Sequence, residues 1–269
     1  MTDRYAVIGN PIAHSKSPQI HKMFAEQTGQ DISYEKIEAP LDGFAAKIEE
    51  LRKAGYKGCN VTVPFKQSAY QLSNQKQYLS YDVVHAHSAN TLDFKSDGIH
   101  LHNPDGIGLI RDIQDNCSVL LRGKRVLLMG AGGAARGVLS PLRDAGANIT
   151  VANRTVDKAV ILAERFVVSS CSYERLTGKQ FDVIINATSS GLSDEMPPLP
   201  PGIFAPGALA YDIMYGRETP FMKFAREQGA AVVSDGLGML VEQAAESFYI
   251  WRGVRPETAP VIAALRKQQ

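Results

Sequence analysis

Cysteine is scarce and unpatterned. Cys59, Cys117 and Cys171 are odd in number, widely spaced and form no C-x-x-C pair, which suggests no disulfide framework. A reducing, cytoplasmic setting is therefore the expectation. Charge of one sign is also missing. With 29 Lys and Arg against 28 Asp and Glu, the net charge is +1, so bulk electrostatics make no case for a nucleic-acid or membrane partner. No apolar run is long enough to span a bilayer. The opening MTDRYAVIGN lacks the charged-then-apolar layout of a signal peptide, and no internal repeat is evident. What remains is an ordinary globular composition, 44% hydrophobic and 21% charged over 269 residues, enough for about two domains.

The most informative stretch is Val126 to Arg136, VLLMGAGGAAR. An apolar strand stops at Gly130, and Gly130-x-Gly132-x-x-Ala135 opens a helix. Gly130 allows a tight turn, Gly132 lets backbone approach a pyrophosphate, and Ala135 lets helix pack on strand. The helix N-terminus adds free N–H groups and a positive dipole end. Taken alone, the pattern could be only a tight turn.

The next strand supports the dinucleotide reading. Asn148 to Ala152 ends in Asn153-Arg154-Thr155, about twenty residues on, where an NAD site places an acid for the ribose 2′-hydroxyl. No acid stands there. A neutral amide, a guanidinium and a hydroxyl suit a 2′-phosphate instead, so the expected cofactor is NADP. The plain alternative for Arg154 is a solvated loop arginine.

Strands and helices alternate through the chain. Tyr5–Ile8 reads as a first strand, and Ser17-Pro18 as a helix start with Ser17 as cap. Ser15 and Ser17 thus lie at a strand's C-terminal end, where open α/β sheets bind ligands; otherwise they are turn and cap residues. Ile32–Ile37 reads as a strand and Leu41–Lys53 as a helix. In Asn60-Val61-Thr62-Val63 the alternation presents an amide and a hydroxyl on one strand face and valines on the other. Pro64 ends that strand and places Lys66 in the first turn of a helix. A cation is disfavoured there, so Lys66 has either a task or simply a surface position. That helix is expected to run to about Gln77.

Ser88–Phe94 and Ile99–His102 read as a hairpin, followed by a helix from near Gly108 with Asp105 at the junction, a cap in its plain reading. His85, His87, His100 and His102 form two H-x-H pairs. On strands, such pairs meeting across a hairpin could hold zinc, but exposed strand histidines explain them as well, and no metal is assigned. Phe181–Ile185 is a buried strand ending in the small, polar Asn186 to Gly191, fit to pass under a nicotinamide ribose or else an ordinary loop. Leu209–Tyr215 is another strand, and Met196–Pro201 a stiff proline segment. Asp235 to Leu240 opens a long helix that carries Gln243 beside its apolar face.

These motifs together resemble the shikimate dehydrogenase family over essentially the whole chain. The resemblance rests on GNPIAHSKSP, NVTVPFK, Asn90-Thr91, NPDG, GAGGAARGV, NRT, INATSSG, YDIMY and DGLGMLVEQAA, in that order. It implies an NADP-dependent interconversion of 3-dehydroshikimate and shikimate, toward the aromatic amino acids. The implied fold is α/β: an N-terminal α/β substrate domain, a Rossmann-type doubly wound NADP-binding domain, and a cleft between them. Residues 1–105 plus 240–269 would form the discontinuous substrate domain and 106–239 the NADP domain. The resemblance implies Lys66 and Asp105 as the catalytic pair, which also touch substrate. Ser15, Ser17, Asn60, Thr62, Asn90, Tyr215 and Gln243 match the family's remaining substrate positions. Gly130, Ala131, Gly132, Gly133, Ala134, Asn153, Arg154, Thr155, Thr188, Met214 and Gly238 match its cofactor shell.

Departures from the family pattern cluster between Leu79 and Pro104, where His87-Ser88-Ala89-Asn90-Thr91 stands for the usual Gly-Ala-Val-Asn-Thr and His102-Asn103-Pro104-Asp105-Gly106 for the usual Asp-Asn-Thr-Asp-Gly. His87 stands where glycine is usual and Pro104 where threonine is usual. The rival readings are a quinate/shikimate or aminoshikimate dehydrogenase, and an NADP-binding paralogue with little turnover. The chain is expected to act on a small molecule as a monomer or homodimer.

Overall fold

The structure, a computed structural model, describes residues 2–72, 78–188 and 195–268. The chain divides into two compact units, Met1–Gly108 with Val241–Lys267, and Leu109–Leu240.

The first unit is built on a five-stranded sheet. Its strands are β1 (Asp3–Gly9), β2 (Ile32–Glu38), β3 (Gly58–Val61), β4 (Thr91–Lys95) and β5 (Gly98–His102), in the order β2-β1-β3-β4-β5. β1 pairs in parallel with β2 and β3, whereas β3, β4 and β5 run antiparallel. Helix α1 (Ser17–Thr28) buries Ile20, His21 and Phe24 on one stripe, the spacing of a single helix face. It closes on Gly29, in the left-handed conformation with φ 64. Helix α2 (Phe44–Lys53) buries Phe44, Ile48 and Leu51. These join Ile8, Cys59, Phe65, Leu92 and Leu101 in one core. Short helices α3 (Lys66–Tyr70) and α4 (Tyr81–Ala86) follow.

The second unit is a six-stranded, wholly parallel sheet. Its strands are β6 (Arg125–Met129), β7 (Asn148–Ala152), β8 (Ser169–Cys171), β9 (Phe181–Asn186), β10 (Phe204–Asp212) and β11 (Val232–Ser234), ordered β11-β10-β9-β6-β7-β8. Such a sheet must be covered on both faces, and its residues alternate accordingly. Val126 and Leu128 pack into one core with Val138, Leu139 and Leu142 of helix α6 (Gly133–Asp144). Leu127 and Met129 pack into the other, with Phe181, Ile184 and Phe221. Helix α7 (Val156–Phe166) packs on the first face, and helix α8 (Pro220–Glu227) supplies Phe221 to the second. Order and direction are those of a Rossmann-type fold, with the point of reversal between β6 and β9.

Helix α5 (Asp105–Arg111) continues into a π-turn, Asp112–Asn116, and helix α9 (Leu237–Arg252) is followed by α10 (Ala259–Arg266). No helix among the described residues is long and apolar enough to cross a membrane.

Several boundaries differ from the sequence reading. Helix α2 starts at Phe44, not Leu41, because Gly43 N–H closes a turn onto Pro40 O (3.0 Å). Helix α5 starts at Asp105, not Gly108, because Asn103 Oδ1 accepts from Asp105 N–H (3.3 Å); Asn103 rather than Asp105 does the capping. Ser17 is not a cap: Lys16 occupies that position, without a side-chain cap bond. Val63 lies beyond β3 in a turn and is exposed. Of the expected helix 67–77, residues 67–70 are helical, the helix itself starting at Lys66, and 73–77 lie outside the described residues.

Candidate active site

The first unit gathers polar side chains at the C-terminal ends of β1 and β3. The turn after Val63 starts α3, which brings in Lys66; its Nζ donates to Asp105 Oδ2 at 2.6 Å. Asp105, at the first turn of α5, is largely buried, and Lys66 is about a third exposed. The second carboxylate oxygen is also engaged, since Asn90 Nδ2 donates to Asp105 Oδ1 at 2.7 Å. Both oxygens of the carboxylate are therefore held, and Lys66 keeps a face to solvent.

Behind this triad lies a buried network. Asn60 Nδ2 faces Asn90 O (3.1 Å), Thr91 Oγ1 (3.0 Å) and Ser247 Oγ (3.0 Å), while Asn60 Oδ1 accepts from Tyr34 O–H (2.7 Å). Ser15 and Ser17 pair with each other, Oγ to Oγ at 3.2 Å, with Ser17 N–H also donating to Ser15 Oγ. Thr62 uses its backbone N–H on Ile8 O and its carbonyl on Phe65 N–H, which leaves its hydroxyl out of the backbone pairing. Gln243 O accepts from Ser247 O–H (3.0 Å). Sequence reasoning missed Tyr34, Thr91 and Ser247; the only local signal was Thr91 in the Asn90-Thr91 motif.

In the second unit the glycine turn has the form its sequence suggested. Gly130 has φ +107, and a Cβ there would lie 2.8 Å from Ala187 O, so only glycine fits. Gly132 is the N-cap of α6, and Cβ atoms on Gly132 or Gly133 would meet nothing within 4 Å. That open space sits at a twelve-residue helix N-terminus, which favours an anion. A cavity of about 520 Å³ lies over it, lined by Gly130, Ala131, Gly132, Gly133, Ala134, Asn153, Arg154 and Thr188. Tyr173, Ala187, Glu195, Met196, Pro197 and Pro198 complete the wall; Tyr173 had no recognisable signal in the sequence, being one residue of a short 3₁₀ turn. Burial pushes the Tyr173 hydroxyl up to about 12, the nearby Arg154 charge opposing it. Donor-rich backbone, an arginine and no acid beside it on β7 fit a phosphorylated dinucleotide.

Three expected cofactor residues do not line this cavity. Thr155 is the N-cap of α7, where Asn153 Nδ2 donates to Thr155 O (2.9 Å). Met214 N–H donates to Asp212 Oδ1 (3.0 Å). Gly238 packs so tightly that a Cβ would fall 1.8 Å from Asp112 Oδ1. The same Asp112 accepts from Tyr211 O–H at 2.5 Å. Asp212 is buried and unites two loops. Its Oδ2 accepts from Thr219 (2.6 Å) and Asn186 (3.0 Å), and Asn186 Oδ1 in turn accepts from Thr188 O–H (2.7 Å). Burial raises the Asp212 pKa against these bonds. Tyr215 also belongs to this unit, its pKa raised by burial. Ser189 to Gly191 lie outside the described residues.

Only one of the two H-x-H pairs lies on a strand: His100 and His102 are both on β5, whereas His85 and His87 are not on a strand. His85 is on α4 and its Nδ1 meets Tyr81 O (2.9 Å), while His87 caps that helix in the left-handed conformation and stacks on Tyr70. His100 stacks on Tyr78 and meets Asp97 (3.0 Å). The segment that carries His85 and His87 forms a helix before β4, so two strand pairs do not meet across a hairpin as the zinc reading required. No cluster of three metal-ligating side chains occurs among the described residues.

Residues 7–92 match the family described as shikimate dehydrogenase substrate binding domain, 113–193 that of shikimate/quinate 5-dehydrogenase, and 236–266 the shikimate 5′-dehydrogenase C-terminal domain. The chain is 58% identical to a shikimate dehydrogenase (NADP(+)) of Methylobacillus flagellatus, over 98% of this chain and 99% of that one. It is 55% identical to the same enzyme of Dechloromonas aromatica, over 99% and 98%. Among solved structures, shikimate 5-dehydrogenase of Thermus thermophilus in complex with NADP(H) and shikimate is 32% identical, with a TM-score of 0.89 over the whole of both chains. An Ael1 enzyme of Pseudomonas putida is 47% identical, with a TM-score of 0.93 over 98% of each. By motif, fold and whole-length identity, the chain belongs to the shikimate dehydrogenase family.

Proposed function

We propose that this protein interconverts 3-dehydroshikimate and shikimate with NADPH or NADP, a step toward the aromatic amino acids. The single observation that carries the reading is the Lys66–Asp105 pair at 2.6 Å, set among amides and hydroxyls that suit a polyol ring. When bound, the nicotinamide supplies or takes the hydride at the ring carbon. The chain's own task is the proton at the neighbouring oxygen. Lys66 Nζ donates it in the reducing direction and accepts it back in the oxidising one, and its positive charge stabilises the oxygen's developing negative charge. Asp105 holds that ammonium in place, and Asn90 holds Asp105.

Ser15, Ser17, Asn60, Thr62, Asn90, Tyr215 and Gln243 are assigned to substrate. Gly130, Ala131, Gly132, Gly133, Ala134, Asn153, Arg154, Thr155, Thr188, Met214 and Gly238 are assigned to NADP, with Arg154 on the 2′-phosphate. Residues 1–105 with 240–269 serve the substrate and 106–239 the cofactor. The protein works in the cytoplasm as a monomer or homodimer, without a nucleic-acid or membrane partner. Arg154, in a cavity whose β7 end carries no acid, disfavours an NAD-linked quinate enzyme.

The test is a steady-state assay crossing shikimate and quinate with NADP and NAD. Fast turnover with shikimate and NADP alone is expected. Clear NADP binding without turnover would transfer the assignment to a non-catalytic paralogue.

A further inference from the structure

An unbroken hydrogen-bond path runs from the buried centre of the first unit to Lys66. We infer that Thr91 is a positioning residue for the reaction: its hydroxyl proton fixes the side chain of Asn90, and through Asn90 the Asp105–Lys66 pair. The inference rests on the reading of Lys66 and Asp105 as the catalytic pair.

The direction of the path follows from groups that can only accept. The Asn90 carbonyl lies 3.1 Å from the Asn60 amide. A carbonyl cannot donate, so the nitrogen of Asn60 must face it, and Asn60 Oδ1 must face the Tyr34 hydroxyl, which donates at 2.7 Å. The amide nitrogen of Asn60 therefore also faces Thr91 Oγ1, at 3.0 Å. Thr91 has one proton left to give. Two acceptors stand within reach, Ser247 Oγ at 2.8 Å and Asn90 Oδ1 at 3.1 Å. Asn90 O also accepts from Val61 N–H (2.8 Å), so the two Asn60 amide protons are shared among Asn90 O, Thr91 Oγ1 and Ser247 Oγ, and Ser247, which donates its own proton to Gln243 O, does not need the threonine's. Asn90 Oδ1 has no other donor in the set of bonds above. Thr91 O–H to Asn90 Oδ1 is thus the assignment that satisfies every group.

The consequence reaches the pair directly. With its oxygen anchored on Thr91, Asn90 must present Nδ2 to Asp105 Oδ1, at 2.7 Å. Thr91 is fully buried and Asn90 3% exposed, so water cannot replace a lost donor. Without the threonine hydroxyl, Asn90 Oδ1 would be a buried acceptor with no partner, a situation its side chain relieves by turning away. Asp105 then loses the second of its two anchors and Lys66 its fixed partner.

The experiment pairs kinetics with a probe that needs no turnover. In Thr91→Val, kcat/KM for shikimate is expected to fall about tenfold to hundredfold, as for loss of one buried hydrogen bond to an otherwise unsatisfied acceptor. KM for NADP should be unchanged, and Thr91→Ser should restore most of the loss. In an Asn90→Ala background the valine substitution should add little, because its route has been removed; an equal loss in both backgrounds would overturn the inference. Independently, the Asn90 side-chain amide protons of the unaltered protein should be protected from exchange. Free exchange there overturns the inference whether or not Thr91→Val folds. If the unaltered protein fails to oxidise shikimate, the reading of the active site fails instead; whether Thr91 holds Asn90 is then read by comparing Asn90 amide exchange in the unaltered protein and in Thr91→Val, where unchanged protection overturns the inference.

Discussion

Lys66 and Asp105 stand 39 residues apart in the chain, yet their side chains meet at 2.6 Å. The lysine comes from the first turn of a short helix, where the helix dipole opposes a cation. The carboxylate compensates for that misplacement, and it is itself held by Asn90. Lys66→Ala should therefore lower kcat by about two to four orders of magnitude, the usual range for a positioned proton donor. NADP affinity, measured by calorimetry, should stay within about twofold. If cofactor binding were lost together with turnover, Lys66 would be a structural residue.

Arg154 follows β7 and lines the cavity over the glycine turn. In the assignment proposed above, it would make a charge-assisted contact with the 2′-phosphate that NAD cannot offer. Arg154→Ala should weaken NADP by about 10- to 100-fold, corresponding to about 1.5–3 kcal/mol, and leave NAD nearly unaffected. Titration of both dinucleotides against the variant checks this, and equal weakening of the two would remove the assignment.

The cofactor side was the more legible half of this sequence, for a physical reason. Gly130, Gly132 and the end of β7 form a local strand-turn-helix-strand unit whose conformation is dictated by neighbours in the chain. The positive φ of Gly130 is what the glycine pattern encodes, whereas its closeness to Ala187 O comes from the end of a strand remote in the chain. The proton-transfer side depends on long-range meetings. A lone lysine two residues after a proline does not reveal that Asp105 and Asn90 will meet it, and the bond from Asn60 to Ser247 spans 187 positions. Pattern reading also misplaced His85, because a six-residue helix, Tyr81–Ala86, is too short to show a period distinct from that of a strand.

His87 shows what its departure from glycine entails. It sits at the end of α4 with φ 50 and ψ 39, a region that favours glycine, and its ring stacks on Tyr70 at 5.1 Å. His87→Gly and His87→Ala both remove the stacking, but only the glycine also relieves the backbone. The glycine variant should be the more stable of the two by about 1 kcal/mol. Urea unfolding of the pair measures that difference directly. Equal stabilities would mean that the backbone relaxes out of the left-handed region.

His21 sets an acid limit on the first unit. It is fully buried on α1, stacked on Tyr34 at 4.1 Å and edge-on to Phe24, and among the described residues neither ring nitrogen has a partner with full hydrogen-bond geometry. Burial lowers its pKa from 6.5 to about 3, the nearby Asn60 amide offsetting only part of the effect. The unfolded chain therefore binds a proton below pH 6.5 that the folded chain refuses. The neutral ring's contribution is complete above that value and is lost progressively as the pH falls toward 3. At pH 5 the loss should reach about 2 kcal/mol, taking 1.36 kcal/mol per unit of pH below the unfolded value. His21→Phe keeps an aromatic ring among Phe24, Tyr34 and Phe248 and cannot be protonated. Its stability should change less between pH 7 and pH 5 than that of the unaltered protein, by about that amount. The only tryptophan, Trp251, has its ring 5.5 Å from His21, so its fluorescence reports the unfolding of this region. Identical pH dependence in the two proteins would show that some other group sets the acid limit.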